Sequence, residues 1–382
     1  MTWKLQSLLW KFLPAHRAVN MSLVVFGFIL LVCGVVFTVG WLAKRRRLSN
    51  SALTLAVITL VVWGGLFVMR PAWLRVATQT IVPTPTVSPL RWIQRSSGLE
   101  TSELMFSVQG EIVDRMMLIR LDPQHYRFSI HWDPTDRRTA EQWQQEFQAA
   151  VVVNGSYFGD HFVPLTPLRI HGCSFGPTTY VSQHGAFVID GAYVNILDLH
   201  HTDAFNAIGQ FPDAMVSYPL LLDAAGNNRA VESPGWLASR NFLGLDVDDH
   251  IILGATETGF FTLHRLGEFL RNGPLALRIA LNLDGGPLVA QVVRAGAFTR
   301  SVHGTAEISN GSDVLRVFWH MVFETTWTLP IVLMAHPVER SPVQPDGRVF
   351  LKEGFKVEQM RTHDGFLTEY HCIKTGDINI AQ

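Results

Sequence analysis

The chain has 382 residues, 31 Lys/Arg against 32 Asp/Glu, and three cysteines. Its near-neutral total hides a division: residues 1–90 hold nine of the basic residues and none of the acidic ones, so the remainder carries a formal net charge of −10. A folded part this acidic excludes nucleic acid as a partner, because duplex and single-strand binders place basic patches on the folded domain.

Residues 1–19 place Trp3, Leu5, Leu8, Leu9, Trp10 and Phe12 beside Lys4 and Lys11, the composition of an interfacial helix or of a disordered leader. Residues 20–42 carry no charge and are long enough to cross a bilayer as a helix, and residues 51–69 are shorter but adequate. Two transmembrane helices are therefore expected. The link Lys44-Arg45-Arg46-Arg47 favours a cytoplasmic loop, although Lys11, Arg17, Arg70 and Arg75 on the outer flanks compete with it. With that loop inside, the soluble domain faces the periplasm or the extracellular space, and the membrane is a partner. Residues 70–89, containing TIVPTPTVSP, read as an extended Pro/Thr linker.

A strand-rich α+β domain is expected over residues 90–338, a mixed sheet with packed helices, followed by an extension over residues 339–382. Phe106–Val113, Met116–Leu121 and Tyr126–Trp132 have strand length and apolar character, with Asp122-Pro123 as a turn. Thr139–Ala150 reads as a helix with Thr139 as its N-cap, leading into Val151–Val153 and the turn Asn154-Gly155-Ser156. Strands are expected at Leu168–His171, Gly185–Ile189, Ala192–Leu197, Ser217–Asp223 and Ile251–Thr256. Thr262–Asn272 is amphipathic, stops at Gly273 and leads into Leu275–Leu283. If Ile251–Thr256 and Leu275–Leu283 run parallel, Asp284 sits at a carboxyl end, a usual place for a site in open sheets. Val314–Phe323 reads as a helix and Thr328–Met334 as a closing strand. Cys173 and Cys372 are the only possible disulfide pair in the soluble part, and their spacing does not show that they meet.

The run LALRIALNLDGGPLVA ends its apolar stretch on a carboxylate, Asp284. Asp284-Gly285 and Asn154-Gly155 each also fit a hairpin turn. Taken in order, however, VVVNGSYF, VSYPLLLDAAG, SRNFLGLDVDDHIILGATETG, TLHRLGEFLRNG and ALNLDGG resemble the phosphodiester glycosidase family over roughly residues 110–335. That resemblance implies one cleft lined by Asn154, Gly155, Arg240, Asp284, Gly285 and Gly286. It implies a hydrolase cleaving a glycosidic bond to a phosphodiester in an envelope or extracellular glycan. Arg240 suits the phosphate, which an Arg fork holds bidentately. Asp284 suits stabilisation of an oxocarbenium-like transition state, attack, or activation of water. The glycines admit backbone N–H groups close to the ligand, and Asn154 and Asn241 offer amide contacts.

A second carboxylate is left open by the sequence, with Asp160, Asp246 and Glu257 as candidates of similar weight. No cofactor is called for, no CxxC or HExxH occurs, and a divalent metal stays open. The family pattern continues Asp-Gly-Gly with Gly-Ser or Gly-Thr, where this chain has Pro287-Leu288, and Ser156 stands where Gly is usual. These departures support an alternative, a non-catalytic glycan-binding or envelope-assembly module on the same fold. Gly172-Cys173-Ser174-Phe175-Gly176 matches a serine-hydrolase elbow, but Pro177-Thr178-Thr179-Tyr180-Val181 after it is a poor helix start.

Overall fold

The computed structural model describes residues 84–135, 138–200, 204–232, 236–311, 314–319, 327–338, 355–361 and 367–374. The expected interfacial helix, both membrane spans, most of the linker and most of the C-terminal extension lie outside these residues. Among the described residues no helix is long and apolar enough to cross a membrane.

The α+β, strand-rich expectation holds. The first sheet orders its strands Thr86–Val87, Leu99–Val108, Glu111–Leu121, Ile251–Thr256, Asn241–Asp246, Leu277–Asn282 and Leu220–Leu222, with Ile93–Ser96 also on Leu99–Val108. The second runs Phe298–His303, Ala290–Ala295, Val151–Asn154, Ile331–Pro337 and Tyr126–Trp132. The third runs Tyr193–Asp198, Gly185–Asp190, Asp213–Ser217, Leu168–Ile170 and Cys173–Phe175. A small sheet joins Trp236–Ala238, Ala306–Gly311 and Val314–Trp319. Neighbouring strands are antiparallel, and the parallel relation expected before Asp284 exists one strand removed. Ile251–Thr256 and Leu277–Asn282 both pair antiparallel with Asn241–Asp246, which lies between them.

Alternation of side chains across each strand builds the core in layers. Leu243, Leu245, Ile251 and Leu253 of the first sheet meet Val151, Val153 and Leu333 of the second and Phe187 and Met215 of the third in one buried cluster. Their neighbours Phe242 and Ile252 point to the opposite face, which is covered by the helix Leu263–Asn272. Helix α1, Ala140–Phe147, is closed by a capping box between Thr139 and Gln142 and buries Trp143 and Phe147 against Val152 and Val332. Helix α2 is the short Ala204–Gly209, with Ile208 packed on the third sheet. Helix α3, Leu263–Asn272, is capped by Thr262 and buries Leu266 and Leu270.

Three expectations are corrected. Phe106–Val113 is not one strand but straddles the turn Gln109-Gly110, whose φ values of 53° and 84° make a tight hairpin of Leu99–Val108 and Glu111–Leu121. The helix expected at Val314–Phe323 is replaced over its described part by a strand: Val314–Trp319 pairs antiparallel with Ala306–Gly311, as its branched and aromatic composition favours, and residues 320–323 lie outside the described residues. Ser217–Asp223 is broken at the cis Tyr218–Pro219 bond into Asp213–Ser217 and Leu220–Leu222, which join different sheets. Cys173 is disulfide-bonded, and Ser174 lies on the second strand of a hairpin rather than at a strand-to-helix turn, so the elbow is absent.

Asp114 is fully buried and accepts the N–H groups of Arg115, Glu257 and Thr258 on Oδ1, tying the first hairpin to the loop after Thr256. Burial pushes its carboxyl up from 3.8 to about 7 despite those bonds. A proton held more tightly by the native state than by the unfolded chain stabilises the fold below the unfolded value, and this is lost as pH rises through the folded one. Stability should therefore fall between about pH 4 and pH 7, by up to about 4 kcal/mol from this group. Asp114→Asn should flatten that fall in denaturant midpoints measured from pH 5 to 8. An equally steep variant would show that Asp114 is not its source.

Candidate active site

The ends of three strands converge on one point. Val151–Asn154 of the second sheet ends at Asn154-Gly155, Leu277–Asn282 of the first runs on through Leu283 to Asp284, and Asn241–Asp246 begins there after Arg240. The Asp284 N–H donates to the Gly155 carbonyl at 3.0 Å, and the Asn154 Nδ2 donates to the Asp284 carbonyl at 2.8 Å. Asn154 Oδ1 accepts from Asn241 Nδ2 at 2.7 Å and from the Ala290 N–H at 2.9 Å. Asn154 thus holds three other segments together, and its amide is engaged by the chain on both sides.

Neither Gly motif is a hairpin turn. The strand before Asp284 belongs to the first sheet and Ala290–Ala295 to the second, so Asp284-Gly285-Gly286 is a crossover between sheets. Val151–Asn154 pairs with Ala290–Ala295 and Ile331–Pro337, neither of which follows it directly. Glycine is required by close approach: a Cβ on Gly155 would lie 2.5 Å from Ile331 Cγ2. On Gly286, whose φ is +66°, a Cβ would lie 2.8 Å from Glu307 Oε2.

The Asp284 carboxyl accepts the Gly285 N–H at 2.9 Å. Burial, with the negative charge of Glu307 nearby, pushes it up from 3.8 to about 8 in spite of that bond. At neutral pH Asp284 therefore holds a proton for most of the time. Arg240 is 5 % exposed, and its main-chain N–H donates to Thr256 Oγ1 at 2.8 Å. Its Nε donates to the Phe261 carbonyl at 3.0 Å and its Nη2 to the Trp236 carbonyl at 2.8 Å. Burial lowers it to about 10, which leaves it charged at neutral pH. Two carbonyls hold the guanidinium on one side, and Nη1 lies toward Gly285, where a Cβ would be 3.7 Å away. A buried cation held by carbonyls alone is costly unless an anion completes it.

Glu307 was not foreseen. Its Oε1 accepts from Trp236 Nε1 at 3.0 Å, and its charge is felt at both Asp284 and Arg240. Sequence offers little signal for it, a single Glu on a strand some twenty residues past the motif; only Gly304 nearby hints at close packing, since a Cβ there would meet the Gly286 carbonyl at 2.1 Å. The three carboxylates considered from sequence lie elsewhere or act otherwise. Asp246 is at the far end of its strand from Asn241, roughly 17 Å along the usual rise. There it accepts the N–H groups of Asp248 and His250, so the Asp246, Asp248 and His250 group is explained by its own turn. Asp160 is exposed on a short 3-10 turn, Asp160–Phe162. Glu257 joins the site region through its carbonyl, which accepts from Ser239 Oγ and Thr305 Oγ1.

Tyr157 and Asn282 also belong to the site. Tyr157 stacks on Tyr218 with centroids 4.5 Å apart, and Asn282 Nδ2 donates to Tyr157 Oη at 2.6 Å. Neither was singled out from the sequence, where the signal for Asn282 is a polar residue inside an apolar run. The buried atoms Asn241 Oδ1, Asn282 Oδ1 and Ser156 Oγ lack partners among the described residues. Native folds rarely leave such atoms unbonded, so they are available to water or a hydroxylated ligand. Pro287 occupies the first turn of Gly286–Leu288, where a missing N–H costs nothing, and Leu288 packs on the core. The departure from the family pattern is thus a packing solution on the inner side of the turn.

Residues 147–314 match the family model described as phosphodiester glycosidase, which bears out the resemblance read from the sequence. No curated protein matches the chain. Among solved structures, the chain is similar to a hypothetical protein from Synechocystis at 14 % identity and a TM-score of 0.43, covering 65 % of this chain and 64 % of that one. It therefore spans under two thirds of that protein's length. It is also similar to the zebrafish N-acetylglucosamine-1-phosphodiester alpha-N-acetylglucosaminidase catalytic domain auto-inhibited by its pro-peptide, at 15 % identity and a TM-score of 0.45, covering 70 % of this chain and 94 % of that one.

Asn154→Ala removes an acceptor from two buried donors and a donor from the Asp284 carbonyl. It should destabilise the protein by about 3 kcal/mol or more. Denaturant unfolding checks this, and a loss below about 1 kcal/mol would mean that the clasp is replaceable by water.

Proposed function

We propose that the chain is a membrane-tethered hydrolase that cleaves the glycosidic bond between a sugar and the phosphate of a phosphodiester in an envelope or extracellular glycan. The tether rests on the apolar runs at residues 20–42 and 51–69, and the outward-facing domain on the basic link between them. The observation that carries the reading is the grouping of a protonated Asp284, Glu307 and a buried Arg240 around the Gly285-Gly286 turn.

A pair of carboxyl groups, one of them held protonated by its surroundings, is the means by which a glycosidic bond is opened near neutral pH. Arg240 holds the phosphate through the edge of its guanidinium not engaged by carbonyls. As the bond from the anomeric carbon to the phosphate oxygen breaks, its electron pair leaves on that oxygen, and the protonated Asp284 supplies a proton there. Glu307 is suited to balance positive charge at the anomeric carbon and to attack it or draw a proton from incoming water. Phosphate is a good leaving group, so charge stabilisation and positioning matter more than the strength of the acid.

The full-length chain should release sugar from sugar-1-phosphate diesters. Arg240→Ala and Glu307→Gln should each lower kcat/KM by roughly 100-fold or more at unchanged folding. Saturable binding of the diesters without release would instead favour a glycan-binding module.

Turnover should also decline as pH rises through about 8, where Asp284 loses its proton. Because the Glu307 charge helps to hold that proton, residual activity of Glu307→Gln should decline at lower pH than the parent's. A limb that stays in place, or moves upward, would remove Asp284 from the role of proton donor.

A further inference from the structure

The side chain of Asn282 is 1 % exposed and makes two bonds through one nitrogen. Its Nδ2 donates to the Tyr218 carbonyl at 3.0 Å and to Tyr157 Oη at 2.6 Å. The first bond fixes which way the amide points, since the flipped amide would set two oxygens against each other. With that orientation fixed, both hydrogens of Nδ2 are spent and Tyr157 Oη is the acceptor of the second. The hydroxyl hydrogen of Tyr157 must then point elsewhere, and no described residue accepts it.

Where it points is set by its surroundings. Tyr157 follows Ser156 on the turn that begins at Asn154-Gly155, and its ring is stacked on Tyr218, so the hydroxyl is held from two sides. Asp284 and Arg240 are both close enough for their charges to act on it. Burial, reinforced by the Asp284 charge once that group ionises, holds its proton far above the ordinary phenol range, so the hydroxyl is a donor at every working pH and neither a base nor a nucleophile.

We infer that Tyr157 is a catalytic residue of this site, donating its fixed hydroxyl hydrogen to a non-bridging oxygen of the substrate's phosphate beside Arg240. This rests on the hydrolase reading. Charge on the phosphate grows as the bond to the sugar breaks, and a neutral donor already oriented at that oxygen strengthens most at that moment, without surrendering its proton. Arg240 then supplies charge and Tyr157 direction, which selects a tetrahedral phosphate over a planar carboxylate.

The test pairs Tyr157→Phe with a change in the substrate. The full-length chain and its variant are assayed on a methyl sugar-1-phosphate diester and on both diastereomers of its phosphorothioate, in which sulfur, a weak acceptor, replaces one non-bridging oxygen. The phenylalanine ring keeps the stack on Tyr218, and Asn282 keeps its bond to the Tyr218 carbonyl, so the variant should fold. Tyr157→Phe should lower kcat/KM on the oxygen diester by about 100-fold, and by under about 5-fold on one phosphorothioate diastereomer, because there the bond is already lost. Equal losses on all three substrates would make Tyr157 a structural residue and overturn the inference, as would a loss under about 3-fold on the oxygen diester. If the parent chain turns over none of them, the hydrolase reading falls and the inference with it, whereas a parent that turns over and an unaffected variant sink the inference alone.

Discussion

The clasp between Asn154-Gly155 and Asp284 is the contact on which the rest of the site depends. Two sheets that share a buried core would otherwise leave their strand ends free to diverge. The Asp284 N–H on the Gly155 carbonyl and the Asn154 amide on the Asp284 carbonyl fix the crossover from one sheet to the other. Since the same Asn154 oxygen also takes Asn241 and Ala290, one side chain sets the relative positions of the crossover, the strand after Arg240 and the strand after Leu288. Each such bond contributes only about 1 kcal/mol net, but leaving its partners unbonded in a buried site costs about 1–3 kcal/mol each. That asymmetry makes the junction stiff.

Stiffness there has a chemical consequence. Asp284 is held by its backbone in a desolvated place beside another carboxylate, and both influences favour its neutral form. Arg240 is held as tightly, its hydrogen bonds going to the Phe261 and Trp236 carbonyls, with the Glu307 charge acting on it from nearby. A buried cation whose hydrogen bonds go to carbonyls, beside a protonated acid, is costly for the fold and suited to an anionic ligand. The glycines let these groups approach, since a Cβ at Gly286 would collide with Glu307.

Much of this was legible in the chain. Asn154, Gly155, Asp284, Gly285 and Gly286 draw notice because they end apolar runs, where a polar or glycine residue needs a reason, whereas Arg240 and Asn241, which precede one, are pointed to by the order of motifs that resembles the family. Helices α1 and α3 were legible from Thr139 and Thr262 as caps and from their apolar spacing. What was not legible depends on pairings between distant segments. Glu307 reaches the site through the pairing of Trp236–Ala238 with Ala306–Gly311, which no local pattern encodes. Tyr157 reads as one more aromatic in an apolar stretch until Asn282 is seen to orient it. The expected helix at Val314–Phe323 failed because a short apolar run serves either a helix or a strand, and pairing with Ala306–Gly311 decided it.

The most direct measurement is hydrolysis of a sugar-1-phosphate diester by the full-length chain in water enriched in oxygen-18, with the label then located by mass spectrometry. Attack at the anomeric carbon places the label on the released sugar and none on the phosphate, and that is the predicted result. Label on the phosphate would mean that the phosphorus–oxygen bond breaks instead. Asp284 and Glu307 would then be serving a phosphodiesterase, and cleavage at the glycosidic bond would be contradicted.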